Sequence, residues 1–381
     1  MEPPEVAEGG DGDSSRPMPR RKDEYVCLGL MSGTSLDGVD LCCVRFQLAA
    51  LGDFEVLAAE TRAYPEAWRT RLKDAFKAEG SESLEIQDLH LAYGEYLGGL
   101  VHSFLEDNRS NLPKDGVDLI ASHGHTVHHR SDLGVTVQVG CGAAIQRVTG
   151  ITTVSNFREQ DVKLGGQGAP LVPIGDELLF DGHEVCLNLG GIANLSFRDD
   201  GGSRIAFDVV PVNLVLNHYA AKLGLPYDAA GASARTGTTC PSLLANLNGL
   251  DFYDQVGPKS LGYEFVVSTV LPLLGASKDL TVEDLLSTFT EHAACQISRT
   301  LKKTGKSKVL VTGGGAYNTY LIERVRALSG FEVCVPENKI VEFKEALIFA
   351  LLGVLRVEGR NNCLASVTGA DRDHCSGELY E

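Results

Sequence analysis

Gly29-Leu30-Met31-Ser32-Gly33-Thr34-Ser35-Leu36-Asp37-Gly38-Val39-Asp40 decides how this chain is read. The apolar run before it, residues 25–30, predicts a buried strand, and residues 39–46 predict a second. Between them lies a hairpin tip of small, hydroxyl-bearing residues punctuated by Asp37. Glycines let backbone N–H groups approach a ligand closely, and a run of such groups makes an anion nest. Ser32, Thr34 and Ser35 add donors, and Asp37 offers a carboxylate to a cation or a water. Such a tip suits the phosphates of a nucleotide with its metal; read without that ligand, it is an ordinary tight hairpin.

Working outward, residues 54–64 read as a third strand, followed by helices over 65–77 and 83–107. Strands follow at 117–122 and 135–139, a helix at 143–148 and a strand at 151–155. The order then restarts. Strand 185–189, the turn Gly190-Gly191, strand 192–197 and strand 205–210 precede a helix at 212–223. Helix 282–303, strand 308–311, helix 317–328, strand 332–335 and helix 343–356 complete the pattern. Both halves open with strand, glycine turn and strand, although no internal sequence repeat accompanies this. The duplication points to an α/β chain holding a nucleotide between two similar lobes. A third turn, Thr312-Gly313-Gly314-Gly315-Ala316-Tyr317-Asn318, places backbone amides where an anion or the face of a base would sit. It lacks the Lys-Ser/Thr of a Walker loop and is not GxGxxG.

Composition narrows the options. The 381 residues are 43% hydrophobic with a net charge of −17, and the sequence pI is near 5.0. That acidity argues against a nucleic-acid or anionic-membrane surface, so a phosphate ligand must be held by backbone amides and a metal. No apolar run reaches the ~18 residues of a membrane span. The ten cysteines show no CxxC pair or zinc-ribbon spacing, and a reducing, cytoplasmic setting is expected. Residues 1–24 read as a disordered leader without the apolar core of a secretory signal. The expected division is an N-terminal lobe, 25–180, rejoined by the C-terminal segment 357–381, and a C-terminal lobe, 181–356. A hinge is expected in or just after Gly165–Pro173.

Nine blocks carry a family resemblance. They are Gly-Leu-Met-Ser-Gly-Thr-Ser-Leu-Asp-Gly (29–38), Ser-His-Gly-His-Thr-Val-His-His (122–129), Asn-Phe-Arg-Glu-Gln-Asp-Val (156–162), Gly-Gly-Gln-Gly-Ala-Pro-Leu-Val-Pro (165–173), Asn-Leu-Gly-Gly-Ile-Ala-Asn (188–194), Phe-Asp-Val-Val-Pro-Val-Asn (207–213), Gly-Gly-Gly-Ala-Tyr-Asn (313–318), Lys-Glu-Ala-Leu-Ile-Phe-Ala (344–350) and Val-Thr-Gly-Ala (367–370). From Val26 to Tyr380 the chain resembles the anhydro-N-acetylmuramic acid kinases, relatives of the sugar kinase/actin/Hsp70 superfamily. The first and fourth blocks are the most specific.

The resemblance implies two actin-like, ribonuclease H-like α/β lobes with an interdomain nucleotide cleft, ATP and Mg²⁺ as co-substrate and metal, and a possible homodimer. It implies opening of the 1,6-anhydro bridge of 1,6-anhydro-N-acetylmuramic acid by water as O6 takes the γ-phosphoryl group. Asp208 matches the family's base. Ser32, Gly33, Thr34, Ser35, Asp37, Gly190, Gly191, Gly313, Gly314 and Gly315 are expected around the nucleotide, with Asp37 toward the metal. His123, His125, Arg158, Asp161, Gln167 and Glu345 are expected on the sugar side, Arg158 being suited to a carboxylate by bidentate pairing. Taken alone, Asp208 also reads as a strand-end turn residue and Glu345 as a first-turn helix charge. The density of His123, His125, His128 and His129 also reads as metal ligands, and the resemblance favours sugar contacts instead.

The departures are specific. Val209, Val210 and Val212 replace the family's usual Thr, Gly and Gly after the base, His125 stands where Gln is usual, and Asn156 where Asp is usual. They keep two alternatives open: a kinase of another 1,6-anhydro sugar such as levoglucosan, and a catalytically silent sugar- or nucleotide-binding protein.

Overall fold

The computed structural model describes residues 22–33, 35–76, 83–130, 134–255 and 257–381. Almost all of the expected leader, and the expected phosphate contact Thr34, lie outside them. The strands in chain order are β1 (Glu24–Ser32), β2 (Gly38–Gln47), β3 (Glu55–Ala63), β4 (Leu119–Arg130), β5 (Val135–Val139), β6 (Thr153–Ser155), β7 (Val185–Leu189), β8 (Ile192–Arg198), β9 (Arg204–Pro211), β10 (Lys308–Thr312), β11 (Glu332–Cys334) and β12 (Glu378–Tyr380). They form two sheets. One runs β12-β6-β4-β1-β2-β3 with β5 paired to β4, and the other runs β11-β10-β7-β8-β9.

The two sheets repeat one plan. In the first, β1 pairs antiparallel with β2, β2 antiparallel with β3, and β1 and β6 lie parallel to β4. In the second, β7, β8 and β9 make the same antiparallel meander, while β10 lies parallel to both β7 and β11. This is the duplicated actin-like, ribonuclease H-like arrangement. The central strands are covered on both faces and therefore read as near-continuous apolar runs. Val26, Cys27, Leu28 and Leu30 of β1 are all buried, as are Val185, Cys186, Leu187 and Leu189 of β7. All ten cysteines are free thiols. No helix among the described residues is long and apolar enough to cross a membrane.

Chain order misplaces one element. Helix Asn338–Val357 was assigned to the C-terminal lobe by the boundary at 356, yet it lies across the first sheet. Its Ala346, Leu347, Ile348, Leu351 and Leu352 share a core with Cys27, Cys42, Val44 and Ala121. Full burial of each leucine or isoleucine contributes on the order of 2 kcal/mol. The approach is so close that a Cβ at Gly29 would lie 1.9 Å from the Ala346 carbonyl oxygen, so only glycine fits there. Only Val341, near the start of this helix, joins the second lobe's core. After it the chain stays with the first lobe, where β12 pairs antiparallel with β6.

Two other elements differ in extent. The strand expected to stop at Ser122 continues to Arg130, so the four histidines sit on a strand rather than in a loop. The helix expected from Tyr317 starts at Thr319, capped by the Asn318 side chain, and Gly314–Tyr317 forms a 3-10 turn before it.

Candidate active site

A cleft of about 640 Å³ separates the lobes, and residues of both line it. The second sheet contributes Asp208, Asn188, Gly190 and Asn194. The glycine turn after β10 contributes Gly313, helix Asn338–Val357 contributes Glu342, Lys344 and Glu345, and β2 contributes Asp40. The loop containing Gln167, Ala169 and Pro170 forms another wall.

Asp208 sits where β9 is bulged against β8. Asn194 pairs with Asp208 and Ala193 with Val210, leaving Val209 as the extra residue. A bulge re-aims neighbouring side chains and bends the strand. The carboxylate accepts a hydrogen bond from the Leu261 N–H at 2.8 Å and one from the Ser260 hydroxyl at 3.3 Å. Partial burial pushes its pKa up, and those two bonds offset part of the rise. The three valines that follow are core residues: Val209, Val210 and Val212 are buried within the second lobe. They pack rather than line the cleft, so they reshape the base's support and not its exposure.

Glu345 approaches from the other lobe. Its side chain remains open to the cleft although protein surrounds it elsewhere. Desolvation raises its pKa, partly countered by the positive charge of Arg158. Asp40 is the third carboxylate with a raised pKa, from desolvation and from the neighbouring charges of Asp37 and Glu342, against a hydrogen bond donated by Thr61. Carboxylates with raised pKa in a cleft are better bases at neutral pH than ordinary ones.

Arg158 is held rather than free. Its Nε donates to His123 Nε2 at 3.0 Å and its Nη1 to the Gly168 carbonyl at 2.7 Å. His123 Nδ1 in turn donates to the Gly124 carbonyl at 2.9 Å. Burial and the adjacent guanidinium drive the His123 pKa far down, so the ring is neutral and Nε2 accepts. His123 therefore orients Arg158, which interacts with the charge of Glu345, and packs at a tilt of 54° against Phe349 with ring centroids 4.8 Å apart.

Several expected contacts lie elsewhere. Asp161 is fully buried and does not line the cleft; its oxygens accept from the Gly168 N–H and the Thr368 hydroxyl, both at 2.7 Å. It anchors the Gly165–Pro173 loop to the C-terminal segment. Ser32 is also turned inward at 3% exposure. Its hydroxyl lies 2.5 Å from the Tyr64 hydroxyl and 2.7 Å from His125 Nδ1. His125 is thus a buried partner of the hairpin, with its pKa lowered to about 4 by burial. Ser35 and Asp37 are exposed at the tip, and neither they nor Gly33 line the cleft. Gly190 and Gly191 form the second hairpin's tip, their carbonyls taken up by the N–H groups of Asn213, and of Val212 and Leu214. Gly313 has φ +81° and ψ 163°. A Cβ there would meet the Asn188 side chain at 2.5 Å. Gly315 packs against Leu189, and Gly314 stands exposed beside it.

Sequence reasoning missed several residues of the site, among them Glu342. Asp40, Asn188 and Asn194 stood at the edges of quoted motifs and alternate onto the cleft face of their strands, a signal available in the period-two pattern. Lys344 had no such signal. It is buried and its Nζ lies 2.6 Å from Asp176 Oδ1. Burial alone would lower its pKa, but Asp176 more than offsets this and holds it above the ordinary value. Asp176 also accepts from Ser196, which accepts from Arg204 at 2.8 Å. This buried network ties the two lobes together at the cleft floor.

The family model for anhydro-N-acetylmuramic acid kinase matches residues 25–381. The chain belongs to that family. It is 34% identical to the anhydro-N-acetylmuramic acid kinase of Xanthomonas oryzae pv. oryzae (strain MAFF 311018), over 96% of this chain and 99% of that one. The kinase of the same name from Gloeobacter violaceus is 35% identical over 94% of this chain and 99% of its own. Solved structures resemble this member of the family loosely. The activator of the 2-hydroxyisocaproyl-CoA dehydratase from Clostridium difficile, with bound ADPNP, is 14% identical, with a TM-score of 0.44 over 87% of this chain and 96% of that one. The strand order, not that likeness, establishes the fold of this family member.

Proposed function

We propose that the protein is an ATP-dependent kinase that hydrolyses the 1,6-anhydro bridge of 1,6-anhydro-N-acetylmuramic acid and phosphorylates O6, giving N-acetylmuramic acid 6-phosphate and ADP. One observation carries the reading beyond family membership: two carboxylates with raised pKa, Asp208 and Glu345, enter one cleft from opposite lobes. In the reaction, Asp208 takes a proton from water as the water oxygen bonds to C1. The C1–O6 bond breaks, O6 bonds to the γ-phosphorus, and the bond to the ADP oxygen breaks. Asp208 needs a carboxylate basic enough to accept that proton, and its partial burial supports this. Glu345 orients the sugar, and Arg158, fixed by His123, supplies positive charge for the lactyl carboxylate.

The glycine turns at Gly190-Gly191 and Gly313–Gly315 are proposed to bracket ATP. Asp40, Glu342, Glu345 and Asp208 make the cleft strongly acidic, and a triphosphate enters such a site only with compensating cations. The donor set, all carboxylate oxygen, fits Mg²⁺. Asp40, which lines the cleft, is proposed to hold it with Asp37 of the neighbouring tip contributing negative charge from outside the lining, and the ion would neutralise phosphate charge.

The test is a coupled assay of ADP release by the full chain with ATP, Mg²⁺ and either anhydro-muramic acid or levoglucosan. The expected result is turnover with a marked preference for the muramic sugar. Preference for levoglucosan, which has neither the lactyl nor the acetamido group, would reassign the substrate. No ADP with either sugar would leave a binding protein.

A further inference from the structure

We infer that Asp161, Cys363 and His374 form a buried site for one divalent transition metal, with zinc the best match, behind a wall of the cleft rather than within it. The three residues come from two segments. Asp161 belongs to helix Glu159–Lys163, whereas Cys363 and His374 face each other across an isolated antiparallel bridge in the C-terminal segment. One ligand atom from each lies within 4.8 Å of the others. Asp161 is 0% exposed, Cys363 2% and His374 4%.

The imidazole carries the strongest indication. His374 Nδ1 lies 3.2 Å from the Arg372 carbonyl oxygen, which can only accept, so Nδ1 holds the hydrogen. That tautomer leaves a lone pair on Nε2. Nε2 has no hydrogen-bond partner among the described residues, yet it lies 3.6 Å from Asp161 Oδ1, another acceptor. Two buried acceptors facing each other are satisfied by a cation held between them. Metal-bound histidines commonly have this arrangement, with the far ring nitrogen donating to a backbone carbonyl.

The donor set names the ion class. A thiolate, an imidazole nitrogen and a carboxylate oxygen together suit zinc, while magnesium and calcium prefer oxygen alone. A thiolate and a carboxylate carry two negative charges, which a dication neutralises. Both Asp161 oxygens already accept one hydrogen bond each, and each oxygen has a second lone pair. Three protein ligands leave a fourth position for water. None of the three residues lines the cleft, so the role is structural. The ion would fasten the C-terminal segment to the loop carrying Gly168 and Gln167, one wall of the cleft.

The experiment measures metal content by inductively coupled plasma mass spectrometry on untagged full-length protein, incubated with zinc and dialysed without chelator. About one zinc per chain is expected, falling to about a tenth or less in Cys363→Ser and in His374→Ala. Reconstitution with cobalt(II) should give a thiolate-to-metal charge-transfer band that Cys363→Ser abolishes. Wild-type protein that retains less than about a tenth of an equivalent would overturn the site and leave a proton shared by His374 and Asp161 as the cation. Full zinc retention by both variants would also overturn it, by placing the metal elsewhere. Should a variant not fold, the wild-type content and the cobalt spectrum still decide.

Discussion

The two hairpins that open the lobes share a strand order but not a use. The first tip turns the Ser32 hydroxyl inward, among Tyr64, Tyr93 and His125, and leaves Ser35 and Asp37 exposed; among the described residues of this hairpin the cleft is reached by Asp40, further along β2. The second tip is glycine, folded onto the start of helix Asn213–Lys222, and its neighbours Asn188, Gly190 and Asp208 open onto the cleft. Duplicating a sheet therefore does not duplicate a site. The first lobe lines the cleft with Asp40, Glu342 and Glu345, and the second with Asp208, the proposed base, and with Gly190 and Gly313 of the glycine turns.

This division can be broken most sharply at the base. Asp208→Asn keeps the shape and the Leu261 contact but removes the proton acceptor, so kcat should fall by about 10²–10⁴-fold with little change in Tm. The wild-type kcat/KM should lose activity on acidification with a midpoint above the ordinary carboxylate value, because burial raises the Asp208 pKa. Full turnover by Asp208→Asn would remove the second lobe's claim to the chemistry.

A smaller effect tests whether the glycine turn is a backbone necessity. Gly313→Ala puts a Cβ where φ is +81° and where Leu189 backbone and the Asn188 side chain already stand. The cost should be about 3 kcal/mol, read by urea unfolding, with ATP affinity weakened as well. An unchanged unfolding midpoint would show that this turn tolerates ordinary residues.

The smallest effect sharpens the first lobe's role. His125 has a folded pKa of about 4 against about 6.5 unfolded, so the unfolded chain takes up the proton first and stability is lost as pH falls from 6.5 toward 4. At about pH 5 that loss is about 2 kcal/mol. His125→Gln, the residue usual in the family, should lessen the drop in Tm between neutral pH and pH 5. If both proteins lose stability in parallel, His125 is not the group responsible.

Much of this was legible in the chain. Apolar runs bounded by glycines gave the strands, and the two strand–turn–strand openings implied paired lobes. Of the motif residues singled out, Asp208, Glu345, Gln167, Gly190 and Gly313 line the cleft, whereas Arg158 does not. Asp161 and Ser32 misled because a polar side chain in a motif looks the same whether it meets a ligand or closes a buried hydrogen bond. The run of His123, His125, His128 and His129 misled similarly: His123 serves Arg158, His125 serves Ser32, and only His129 reaches the cleft.

By itself the sequence determined the alternation of strands and helices, the duplicated plan and the family, because these depend on local periodicity and on residues close together in the chain. Only the tertiary structure decided that helix Asn338–Val357 covers the first sheet, that Lys344 and Arg204 meet Asp176 under the cleft, and that Cys363 and His374 close on Asp161. Those pairings join residues tens to hundreds of positions apart, and they are selected by complementary burial and charge when the lobes pack, which no local pattern records.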